Sequence, residues 1–383
     1  MRKIGILGWL LLPLCAATQS IKSANFKYWY DVENPVDVNI NLTRRDSNME
    51  IQYNLVSRNS NASAYQMTWE KRKTLGQERG ETLTPKDSVL SSSASLRRGL
   101  FAVPVEDNPY ILVCKVSDPS SSFSWIYYKI IEKNFPTNGY LVKQGARVET
   151  HYLTEGSAVQ IVPPRFPLVC TYYKQAGNPP PPPYSVASSA DNFHKYDSTF
   201  IINSPDFQFT KQGLYLFQND TTAAEGFSVY VTAKEFPKFG NIEALSQPIV
   251  YLTTPDEFAV LKAAGNDKSK FDKLILGITG DKTRAKNFMR SYYRRVAAAN
   301  LLFTSYKPGW QTDQGLVYII FGLPDDIHIT SAGEVWNYSA LKTKFIFAKS
   351  GSVYSPDYMA LVRSPQLKDA WLNAADLWRK SRF

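Results

Sequence analysis

Residues able to do chemistry are sparse in this sequence. Its only histidines, His151, His194 and His328, stand apart from one another and from Cys114 and Cys170, so spacing assembles neither a metal-ligand cluster nor a Cys–His pair. "GITGDKT" at residues 277–283 has the look of a phosphate loop. A phosphate loop needs glycine directly before its lysine and again five positions earlier, so that backbone N–H groups can wrap the anion. Asp281 and Leu276 hold those places, and an aspartate repels phosphate, so the segment reads as a loop entering a helix. Asp325 and Asp326 are adjacent carboxylates, but neighbours on a turn point in different directions and make no opposed glycosidase pair. Lys286, Arg290 and Arg294 recur at four-residue spacing, with Arg284 and Arg295 nearby. Like charges so stacked repel unless acceptors such as Asp313, Asp325, Asp326 or Glu334 face them or water solvates them, with an anionic ligand as the alternative. None of these patterns implies a catalytic group, a metal or a cofactor.

One compact constellation remains, "KPGWQTDQGLVYIIFGLPDDI" at residues 307–327. Pro308 and Gly309 end a connection, Trp310 is large enough to anchor a turn, and Thr312 and Asp313 can bond backbone N–H groups just ahead of them. The apolar run 316–321 then reads as a strand, stopped by Gly322 and Pro324. In that reading Asp313 is a turn former, and Asp313→Asn costs only about 1 kcal/mol.

The elements that must position this stretch fall into three parts. Residues 25–133 carry short alternating strands, "FKYWYDV", "VDVNINLT", "MEIQYNLV", "YILVCKVSD" and "FSWIYYKII", and read as an immunoglobulin-like β-sandwich. Residues 134–248 form a second β-rich domain with strands at "VQIV", "FPLVCTYY", "STFIINS", "FQFT", "LYLFQ" and "FSVYVTAKEF". It is interrupted by "NPPPPPYS", whose prolines Pro179 to Pro183 must run as an extended, stiff and exposed loop.

From residue 254 the texture becomes helical. Thr254 before Pro255, Asp256 and Glu257 is a helix start, and Gly265 interrupts the helical run that begins there. A longer helix spans 282–303, its buried stripe set by Phe288, Tyr292, Val296, Ala299 and Phe303. Strands at "EVWNYS" and "KTKFIFAKS" and a last helix at "PQLKDAWLNAADLWRKS" complete an α+β domain, 254–383, with a small, mainly antiparallel sheet. The fold class is therefore multidomain: two all-β sandwich-like domains, then α+β.

The first 20 residues have a basic start, an apolar run too short to span a bilayer, and small polar residues after it, which is the pattern of a secretory signal peptide. Export to the periplasm or cell envelope is the expectation. Cys15 would give an outer-membrane association only if lipidated, and Leu14 before it is not the small residue that a lipobox wants. Cys114 and Cys170 lie in strand-like contexts and read as buried thiols, with a bridge as the alternative. The formal charge of +10 is dispersed and reads first as an aid to solubility; as counter-charges, an exported chain would meet acidic glycans, anionic lipid headgroups or acidic partner surfaces rather than nucleic acid.

"GWQTDQGLVYIIFGLP", preceded by "YYRRVAAAN" and followed by "EVWNY", resembles the GWxTD-domain family of exported bacterial proteins of Bacteroidetes type. The motif positions are Gly309, Trp310, Thr312 and Asp313, with Tyr293, Arg294, Asn300, Tyr318, Gly322, Pro324, Trp336 and Tyr338 in the accompanying blocks. Gln314 departs from an arginine common in the family, and "FDKLILG" lacks a tryptophan common there. The resemblance implies a domain but no activity. It leaves two readings: a non-enzymatic envelope module binding protein or glycan, or an envelope hydrolase for glycan or peptide with a site beside the GWQTD turn. They differ in whether the motif's polar groups face an open pocket or are satisfied internally.

Overall fold

The computed structural model describes residues 19–58, 62–86, 88–120, 123–175, 177–186 and 195–382. Residues 1–18, which include Cys15 and most of the expected signal peptide, and His194 lie outside them. Among the described residues no helix is long and apolar enough to cross a membrane, and no cluster of metal-ligating residues occurs.

The first domain is two four-stranded antiparallel sheets. One runs Val36–Arg45, Asn48–Ser57, Leu96–Pro104, Ser88–Ser92, and the other Glu81–Leu83, Gln66–Arg72, Tyr110–Ser117, Ser124–Ile131. Alternate residues such as Val38, Ile40 and Leu42 face inward and meet Trp69, Leu112 and Cys114 of the other sheet in one core. The second domain packs a four-stranded sheet on a five-stranded one, in which Tyr152–Thr154 runs parallel to Phe227–Thr232. Both cysteines are buried and free, and burial pushes both thiols well above their usual range.

The C-terminal domain holds helices α1 (Ile242–Ser246), α2 (Pro255–Ala264), α3 (Lys268–Thr279), α4 (Lys282–Phe303), α5 (Asp313–Phe321) and α6 (Lys368–Arg379). Beside them lies the antiparallel sheet Asp326–Ile329, Gly333–Tyr338, Thr343–Lys349, Met359–Leu361. Thr254 caps α2 in a full capping box with Glu257, and Asp281 caps α4. The expected stripe of α4 is buried in its entirety. The core does not begin at residue 254: Ile249, Tyr251 and Leu252 belong to it, as do Ile21, Ala24 and Phe26 from the start of the chain.

Three expectations are corrected. The run 316–321 is helical, within α5. It is buried on every side between α4 and the strand Met359–Leu361, so no polar face existed to reveal its period. "FKYWYDV" is not a strand but a 3-10 turn, Lys27–Tyr30. Its aromatics serve two cores: Tyr28 Oη and Trp29 Nε1 donate to Ile126 O of the first sandwich, while Tyr30 packs on Phe303 and Trp336 of the last domain. The proline segment is not an exposed loop. Pro181 O accepts from Arg363 Nη2 at 3.0 Å and Pro183 O from Ser364 N at 3.0 Å, which docks it on the C-terminal domain.

Candidate functional site

The motif closes on itself. An atom in the Cβ position of Gly309 would lie 1.9 Å from Ala299 O, and one on Gly315 would lie 1.8 Å from Gly309 O. Only glycine allows the turn to press against α4 and α5 to start directly beneath it. Thr312 is the N-cap of α5: its Oγ1 accepts from Gly315 N at 3.0 Å and donates to Gly309 O at 2.8 Å. Asn300, wholly buried on α4, accepts from Trp310 N at 3.1 Å and donates to Pro237 O at 2.9 Å. Trp310 meets Tyr251 edge-on, and Tyr251 Oη donates to Trp310 O at 2.7 Å.

Asp313 is more than a turn former. It is 1% exposed, its Oδ1 meets Arg363 Nη2 at 2.6 Å, and its Oδ2 accepts from Leu361 N at 2.9 Å. The Arg363 guanidinium continues to Pro181 O, so one ion pair ties the start of α5, the last strand and the proline segment together.

At the far end of α5, Gly322 takes a φ of 82° and closes the helix, and its O accepts from Tyr338 Oη at 2.7 Å. Tyr318 packs edge-on against Phe303, and Pro324 is buried. Arg294 stands apart, exposed on α4 with Lys286 and Arg290. The acceptors expected for this stripe are used elsewhere: Asp313 by Arg363, Asp325 by Ser339 N, Asp326 by Asn25 and Glu334 by Tyr30. Arg295 turns inward instead, donating to Ile319 O and Ile320 O over the Trp378 ring.

A second constellation went unrecognised in the sequence. Glu334, 3% exposed, accepts from Tyr30 Oη at 2.8 Å, Trp336 Nε1 at 2.8 Å and Gln314 Nε2 at 3.2 Å. Burial pushes its carboxyl above the ordinary range in spite of these three neutral donors. It borders a cleft of about 290 Å³ between the first sandwich and the C-terminal domain. Lys129 and Asp357 pair across this cleft at 2.6 Å. Burial alone would raise Asp357, yet the Lys129 charge, with His151 and Lys349 beyond, holds it below its usual value. His151, itself exposed, lines an adjoining cavity of about 120 Å³ that shares Lys129 and Asp357. His328 is on the strand Asp326–Ile329, away from both cavities. Arg363, a lone cation closing the apolar run "MALV", was the available sequence signal for the Asp313 pair; Tyr30 and Glu334, 304 residues apart, offered none.

A family model, the GWxTD domain, matches residues 213–380, so the C-terminal part of this chain is a GWxTD domain. No curated protein matches the chain. Among solved structures it is similar to titin Ig tandem domains A164-A165, with 11% identity over 52% of this chain and 100% of that one and a TM-score of 0.17. It is similar also to DIP-gamma IG1+IG2, with 11% identity over 51% of this chain and 97% of that one and a TM-score of 0.16.

Proposed function

We propose, from the premise that residues 213–380 form a GWxTD domain, that this chain is an exported cell-envelope protein that acts without catalysis, binding or scaffolding a protein or glycan partner. The observation carrying the reading is the closure of the motif: Asp313, Thr312 and Asn300 each spend their polar atoms on the protein, which leaves no general base or nucleophile beside Trp310. The basic, then apolar, N-terminus supports export, and two sandwiches welded to the domain suit a projecting module. The charge of +10 suits an acidic partner surface or glycan. Bacteroidetes origin accords with the family likeness, and the leucine before Cys15 favours ordinary cleavage over a lipid anchor.

The test is fractionation of the native host joined to crosslinking in intact cells. The expected result is a chain shortened by about 15 to 20 residues in the envelope fraction, crosslinked to one recurrent partner. Full-length chain in the cytosol, or no crosslinked species under several chemistries, overturns the reading.

The hydrolase reading keeps one supporting observation: the cleft holds one carboxyl displaced upward, Glu334, and one displaced downward, Asp357. Against it, both oxygens of Glu334 are already engaged by protein donors. Glu334→Gln separates the two, because a general acid cannot be replaced by an amide: failure to complement a deletion strain at unchanged melting temperature favours the enzyme.

A further inference from the structure

The cleft between the first sandwich and the GWxTD domain has a floor of apolar and aromatic surface to which Tyr128, Tyr358 and Met359 contribute. Of the charges around it, Lys129 and Asp357 neutralise each other, and Glu334 is spent on Tyr30, Trp336 and Gln314. Two remain. Among the described residues the side chains of Glu132 and Lys349 make no ion pair or hydrogen bond, although both border the cleft. Both side chains are exposed, and Glu132, Asp357 and Glu334 all lie near enough to act on the Lys349 charge. A cation and an anion that feel each other's charge, yet make no direct pair, thus border one apolar floor.

We propose that this cleft binds a small zwitterion, an α-amino acid or short peptide with an apolar side chain. Its ammonium meets Glu132, its carboxylate meets Lys349, and its side chain rests on the floor. A lone anion would satisfy Lys349 and leave Glu132 facing it; a lone cation would do the reverse. A zwitterion answers both at no net charge, and burying apolar surface beside paired charges is what small-ligand sites at domain interfaces do. A sugar stacked on Trp29 is a poorer fit, because that ring already has Phe26 at 4.7 Å, Tyr128 at 5.5 Å and Tyr127 at 6.2 Å between centroids. The adjoining cavity, which shares Lys129 and Asp357, gives a second residue somewhere to go. The proposal goes beyond the scaffold reading and is independent of it: a chain with no macromolecular partner would still bind the zwitterion.

The test is titration of the full chain, by calorimetry or ligand-observed NMR, with leucine, leucyl-leucine and their N-acetylated and C-amidated forms. Blocking either terminus should weaken binding by about tenfold or more. Glu132→Gln should weaken the free ligand similarly and no longer distinguish it from the N-acetylated form, and Lys349→Met should do the same for the amide. Both side chains are exposed, so both variants should keep the parent melting temperature. A tighter dipeptide identifies a peptide as the source of the zwitterion, and a tighter leucine a free amino acid. Absence of binding at about 10 mM of every probe, or binding indifferent to both blocks and both variants, overturns the proposal.

Discussion

Asp313 and Glu334 are the two buried acids among the described residues, and Gln314 connects their neighbourhoods, following one in sequence and donating to the other. Asp313 faces a guanidinium and a backbone N–H. Glu334 faces a phenol, an indole and an amide, all neutral. Similar burial therefore has two consequences. The knot around Asp313 is an ionic weld whose members depend on one another, whereas the joint around Glu334 holds a carboxyl that burial inclines toward its neutral form.

Breaking the weld should give the largest effects. Trp310→Ala empties the space beside Tyr251 and is expected to cost about 4 kcal/mol in urea unfolding of the C-terminal domain. Asp313→Asn leaves the Arg363 charge without its counter-ion in a buried setting, so the expected loss is about 3 kcal/mol, well above the value for a simple turn former. Adding Arg363→Met to that variant should restore part of it, and a double-mutant cycle that shows no coupling would dissolve the weld as a unit.

The joint should respond less, and to pH. With its folded-state pKa raised, Glu334 makes the native chain bind more protons than the unfolded one just above the ordinary carboxylate range. Its contribution to stability is thus fully present at low pH and is lost as pH rises through the folded value. Glu334→Gln should flatten that decline while changing neutral-pH stability by about 1 kcal/mol or less, as melts across pH 4 to 8 would show. The exposed stripe on α4 sets the lower limit: Arg290→Gln relieves like-charge contacts with Lys286 and Arg294 and should stabilise by only a few tenths of a kcal/mol.

The same contrast separates what was legible in the sequence from what was not. The boundaries and stripe of α4 could be read because five apolar residues repeat at helical spacing over one solvated face, and α2 because its cap and box are local. Helix α5 could not, since burial all round erased its period. The turn at residues 27–30 failed for a related reason: alternation counts one buried face, and here two different cores share the aromatics. The importance of Gly309, Trp310, Thr312 and Asp313 was visible, but the reason for Asp313 was 50 residues away in Arg363. The cleft was invisible, being assembled from residues scattered between Trp29 and Met359, with Leu42, Gln314 and Glu334 each from a different element.

The start of the described chain is stitched to its far end. Asn25 Nδ2 donates to Asp326 Oδ1 at 3.0 Å across 301 residues, and its Oδ1 accepts from Ile327 N at 3.0 Å. Phe26 N donates to Ile327 O at 2.9 Å, which covers the edge of the last sheet. In a chain made from one end, at about 5 to 20 residues per second, that strap waits roughly 15 to 60 s for its partner. During that interval Ile21, Ala24 and Phe26, all buried in the finished molecule, have no C-terminal core to enter. Completion of the last domain is therefore a late, long-range closure that sandwich folding cannot anticipate, and the nascent strap is an apolar peptide that a chaperone could hold until the sheet edge arrives.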